Sequence, residues 1–238
     1  MITVRRVVGS ELIKLRTLRA TMWLLAVAAA AILVLGPIQA IGQVVAPAED
    51  AADPLSIALN GVTLATLLAG VLGVLTVTGE YAPRAIRTTF TLVPRRGHVV
   101  VGKTLALALA TALAGAVAVA GAITASLAIL DSSDSHGFRV SAATVWYLVG
   151  WGVLGQAAGW VTRSKIGGAA LLLGVMMLLP PVLGLVPGRA GELLVAAMPS
   201  SAGSAMIGSD PVAGFLLWTA HLVGFTALSA WLVSRRDA

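Results

Sequence analysis

Long apolar stretches, separated by short polar and mostly basic segments, fill almost the whole chain. They fall at about 21–45, 56–79, 99–130, 142–162, 166–187 and 212–233. Each is apolar throughout rather than alternating, as in LALALATALAGAVAVAGA from Leu105. As helices, stretches of roughly 20 residues cross about 30 Å of hydrocarbon. Lipid offers no hydrogen bonds, so a spanning segment is a helix or part of a closed barrel. Barrel strands alternate apolar and polar positions over about ten residues, so the pattern predicts an all-α membrane protein with six spans. Residues 4–20 read differently: Val4, Val7, Val8, Leu12, Leu15 and Leu18 share one helical face and Arg and Lys the other. That predicts an interfacial amphipathic helix against lipid headgroups. The first long run follows this basic segment and extends from Met22 to about Val45. It exceeds the 7–15 residues of a signal-peptide core and is read as a retained span. The segment 188–211, interrupted by Pro199 and several glycines, predicts an outer re-entrant helical pair. Pro180-Pro181 should kink the fifth span.

Composition agrees. Of 238 residues, 58% are hydrophobic and 11% charged, with a mean hydropathy of +0.95, whereas a soluble domain carries about 25% charged residues. The absence of cysteine excludes disulfides and Cys-ligated metals. The distribution of charge then assigns sides. With the N-terminus inside, the inner segments hold Arg5, Arg6, Lys14, Arg16, Arg19, Arg84, Arg87, Arg95, Arg96, Lys103, Arg163, Lys165, Arg235 and Arg236. Only Arg139 and Arg189 fall outside, and seven of the ten acids lie there. A Lys/Arg excess in short loops marks the cytoplasmic side, so both termini are expected in the cytoplasm of a plasma-membrane protein. The net charge of +6 is therefore a topology signal rather than a nucleic-acid footprint. Trp23, Trp146, Trp160 and Trp231 lie near span ends, where amphipathic rings collect. Gly155 and Gly159 stand at the GxxxG spacing that lets helices approach closely.

Few motifs carry chemistry. Gly97 to Thr104 satisfies G-x-x-x-x-G-K-[ST], the phosphate-cradling loop. It follows Pro94-Arg95-Arg96 and opens a membrane span, where such a loop should follow a strand. Its central valines resist the required curl, and Asp131 would lie about 40 Å away along the helix. Asp131, Asp134 and His136 form D-x-x-D-x-H in a serine-rich outer loop, read as solvated rather than metal-binding. No cofactor or metal is expected. Ionisable groups within spans are functional candidates, and only His221, with Gln156 as a polar partner, qualifies as a possible substrate path. Proton- or sodium-coupled carriers usually need buried carboxylates, so uphill transport would have to draw its energy from another subunit. Residues 80–98 hold a short amphipathic helix framed by prolines and basic residues. Pro83 suits its first position, and Ile86, Phe90 and Val93 share a face before Pro94 ends it. This is the candidate docking element for a cytoplasmic partner.

The order of these parts resembles the permease subunits of ABC type-2 exporters. The likeness is sharpest in Gly79-Glu80-Tyr81, Ile86-Arg87-Thr88-Thr89-Phe90, Val93-Pro94-Arg95-Arg96 and Lys103, and in Ser10-Glu11 with Lys14-Leu15-Arg16. Arg84-Ala85 replaces the family's usual Gly-Thr. The resemblance implies a coupling loop in which Glu80, Tyr81, Arg84, Ile86, Arg87, Phe90, Pro94 and Arg95 meet a separate cytoplasmic ATPase. Residues 4–19 would be the connecting helix beside it. It also implies pairing with a second permease, identical or homologous, and no nucleotide site in this chain. The apolar composition favours an amphipathic or lipid-like cargo, such as a drug or antibiotic. The competing expectation is a membrane sensor or assembly partner that docks a cytoplasmic protein without transport.

Overall fold

The computed structural model describes residues 4–47, 53–81 and 96–235, and every regular element among them is helical. Helix α1 (Val4–Thr17) buries Val7, Glu11 and Leu15, one stripe at a spacing of four. The buried face is thus narrower than the apolar pattern predicts and contains an acid. Leu18 is extended and separates α1 from α2 (Arg19–Val45), whose 27 residues run about 40 Å. The expected second span divides in two. A short α3 (Pro54–Ala58) is capped by Asp53, which accepts from the Ser56 amide at 3.0 Å, and it opens on Pro54. Then α4 (Val62–Tyr81) follows the turn at Gly61, where a Cβ would strike the α2 backbone at Ala31.

Helix α5 (Arg96–Ile129) is the longest, and α6 (Gly137–Thr162) returns antiparallel to it. Arg163, in the left-handed conformation (φ 52°), ends α6, and its amide bonds Gly159 O. Ser164 then caps α7 (Lys165–Leu173). This helix passes through a π-turn at Gly174–Leu178 into α8 (Leu179–Gly184). The reason is chemical: Pro180 and Pro181 have no amide hydrogen for the carbonyls one turn earlier. The Leu179 amide bonds Gly174 O, five residues back. Two short helices, α9 (Arg189–Ala196) and α10 (Pro199–Ile207), precede α11 (Pro211–Arg235).

Packing centres on α6, which is buried on nearly all sides and makes its most extensive contact with α4. Gly155 allows this, because a Cβ there would collide with the backbone of Gly70. Gly73 stands in the same relation to Gly152 O. One apolar cluster joins Leu55, Ala58 and Val62 to Ala118, Ile123 and Val140. Another, at the opposite end of the bundle, joins Val77, Val100, Trp160 and Val233. The end of α4, the start of α5 and the ends of α6 and α11 therefore converge.

Among the described residues, five helical segments are long and apolar enough to cross a membrane: Arg19–Val45, Val62–Tyr81, Gly97–Ile129, Lys165–Gly184 and Pro211–Arg235. The expected fourth span, 142–162, is helical within α6 but is not among them. It carries Trp146, Tyr147, Trp151, Gln156 and several glycines, and from Leu148 to Trp160 every residue is buried against protein. The tryptophan expectation also divides. Trp23 and Trp231 are exposed, but Trp160 is fully enclosed and Trp146 is half-buried, donating to Thr219 Oγ1 at 3.2 Å.

Candidate functional site

Glu11 is the one acid on α1, and it lies on the stripe that meets the bundle. There it finds Lys103, in the second turn of α5, at 2.7 Å (Nζ to Oε2). Lys103 Nζ also donates to Glu80 Oε1 at 2.6 Å and to Thr76 O at 3.3 Å. All three ammonium protons thus have acceptors, and only 1% of the Lys103 side chain is exposed. Lys14, one turn after Glu11, bonds Glu11 Oε1 at 2.6 Å and Glu80 Oε1 at 2.8 Å. The result is a charge-balanced square of two carboxylates and two ammoniums drawn from α1, α4 and α5. Burial opposes the Lys14 charge, but hydrogen bonds and attraction from Glu11 and Glu80 outweigh it. Lys14 therefore holds its proton above its ordinary value of 10.5.

The polar chain continues inward from the square. Gln156, fully buried on α6, donates from Nε2 to Thr76 Oγ1 at 3.1 Å and accepts at Oε1 from Thr104 at 3.0 Å. Thr76 thus touches the charges through its carbonyl and Gln156 through its hydroxyl. Beside it, Tyr81 meets Trp160 edge-on at 6.2 Å, and the Arg163 guanidinium lies 5.5 Å from the Tyr81 ring centre. The ends of α4 and α6 are joined there by aromatic and cation–π contacts.

Of the residues expected to couple to a partner, Glu80 and Tyr81 lie at this site. Arg84, Ile86, Arg87, Phe90, Pro94 and Arg95 lie outside the described residues. The two residues expected along a path do not share a site. Gln156 sits in the polar chain between α4, α5 and α6, whereas His221 lies on a face of α11, bonded to Leu217 O and stacked near Phe225. The Gly97–Thr104 segment is continuous helix, with Lys103 held by carboxylates and Thr104 by Gln156. In the loop between α5 and α6, Asp134 accepts from the His136 amide at 2.6 Å. Among the described residues no group of three or more His, Cys, Asp or Glu is placed to hold a metal ion.

Sequence reasoning singled out Glu11, Lys14 and Lys103 as motif residues but missed their pairing. The available signal was Glu11 itself, an acid at the centre of the Val7–Leu15 stripe. A lysine in the second turn of an apolar helix needs such a partner. Fold and site together define an all-helical, membrane-embedded chain with a charge square, built round the buried Lys103, at one end of its bundle. Compared with known protein families and with curated proteins, the chain matches none.

Proposed function

We propose that this chain is the permease subunit of an ABC-type exporter in the plasma membrane. In this reading it spans the membrane six times, α6 being the protein-enclosed span, with both termini in the cytoplasm. It pairs with a second permease and is driven by a separate cytoplasmic ATPase. The observation that carries the reading is the convergence of the basic segments at one end of the bundle. Lys14 and Lys103 share the charge square, Arg163 rests on Tyr81, and Val233 beside Arg235 packs against Trp160. The Lys/Arg rule places that end in the cytoplasm. The segment 82–95 departs from this same end, one residue after Tyr81, and returns to it at α5. ATP-driven motion of a docked ATPase would push this segment and rock the spans between two arrangements. The cargo class that fits the apolar chain is amphipathic or lipid-like.

The test is charge reversal of Arg84 and Arg87 in the chain purified with its ATPase. Loss of transport, with hydrolysis no longer responsive to cargo, is the expected result. Unchanged transport would refute the docking role, and failure of any ATPase to co-purify with the parent chain would favour a non-transporting membrane partner.

A further inference from the structure

The helix ends on either side of segment 82–95 are cross-braced. Glu80 stands two positions before it and Lys103 eight positions after it, and they form an ion pair at 2.6 Å. The same ammonium takes Glu11 of α1 at 2.7 Å, and Lys14 returns the connection to Glu80 at 2.8 Å. We propose that Lys103 is a positioning residue that fastens α1, the end of α4 and the start of α5 into one rigid body, so that any displacement of 82–95 reaches all three helices together. The geometry is specific. Lys103 has no remaining donor, its three contacts falling on Glu11, Glu80 and the Thr76 carbonyl. Val7 packs on Val99 at this joint, and Leu15 is buried beside it. The ion pairs add to these apolar contacts in holding α1 to the bundle. Helix α1 thus acts as a strut.

The consequence for coupling rests on the reading of 82–95 as a docking element, but the strut itself does not. The absence of cysteine permits spin labels at Cys pairs in the full chain. One pair is Ile13→Cys with Leu113→Cys, across α1 and α5. The control is Leu64→Cys with Leu113→Cys, across α4 and α5. All three sites are exposed. Two variants are compared with the parent in lipid nanodiscs. Lys103→Met removes the node. The double variant E11Q/K14Q removes the two charges that α1 contributes to the square, one of each sign, and leaves the Glu80–Lys103 pair intact, so the bundle is expected to fold even where Lys103→Met does not.

The expected result for E11Q/K14Q is a several-fold broader α1–α5 distance distribution, with the α4–α5 distribution unchanged. Lys103→Met, where it folds, should broaden both. In the complex with the ATPase, both variants should retain the bound subunit but lose the cargo-dependent rise in hydrolysis, an effect that simple loss of folded protein would not give. An α1–α5 distribution as narrow in E11Q/K14Q as in the parent would overturn the proposal. Failure of the ATPase to bind the parent would instead sink the docking reading and leave the distance result standing.

Discussion

Lys103 is enclosed more completely than any other charged side chain among the described residues, and it meets two carboxylates that lie 69 positions apart in the chain. A buried ion pair is weak evidence of net stabilisation, but removing one partner strands the other's charge. Lys103→Met removes the ammonium that lies between Glu11 and Glu80. A loss of about 3–5 kcal/mol is expected, seen as a lower melting temperature in detergent; a shift of under a degree would show that water reaches the square. Lys14 gives the pH dependence. Its folded proton affinity is raised, so its stabilising effect is complete below its ordinary value and disappears as pH climbs through the higher folded value. The stability difference between the parent and Lys14→Met should be flat from neutral pH to about 10 and shrink above about 10.5. A difference that stays unchanged well above about pH 10.5 would contradict the assignment. The paired lysine was not legible in the sequence, because pairing across 92 positions depends on how α1 turns at Leu18. The acid on the apolar stripe was legible, and its meaning was not.

At the scale of elements, α4 and α6 are held backbone to backbone through glycine. Gly155 tolerates no Cβ, since Gly70 occupies that space, whereas Gly224 on α11 has nothing within 4 Å. Gly155→Leu should therefore cost at least the roughly 1–3 kcal/mol of an overpacked site, read as loss of monodisperse protein on size exclusion. Gly224→Leu should behave like the parent. Equal behaviour of the two would mean that α4 and α6 are not in the described contact. Helix existence was readable from apolar runs, and the GxxxG spacing pointed to the right face of α6. The split of the expected second span into α3 and α4 was hidden, because Asn60-Gly61 serves a contact with Ala31 that only the tertiary fold reveals. The enclosure of Trp160 was hidden for the same reason: a tryptophan near a helix end reads as a membrane anchor until α11 is seen covering it. The π-turn was foreshadowed by Pro180-Pro181, though as a kink of unspecified form.

At the scale of the whole molecule, everything functional depends on which end of the bundle faces the cytoplasm. The charge square, Tyr81, Arg163 and the C-terminal turn of α11 share one end. Phe138 at the start of α6 belongs to a segment expected on the other side, and Leu185, just beyond α8, lies at the far end of the expected fifth span. A cytoplasmic ATPase reaches 82–95 only if the first end lies inside. The direct measurement is labelling of single-cysteine variants in intact cells with a membrane-impermeant thiol reagent, using Ile13, Ile166, Phe138 and Leu185, all exposed. The account predicts that cysteines at 138 and 185 are labelled in intact cells, and those at 13 and 166 only after lysis. Labelling of 13 and 166 in intact cells would put the charge square outside and contradict the account.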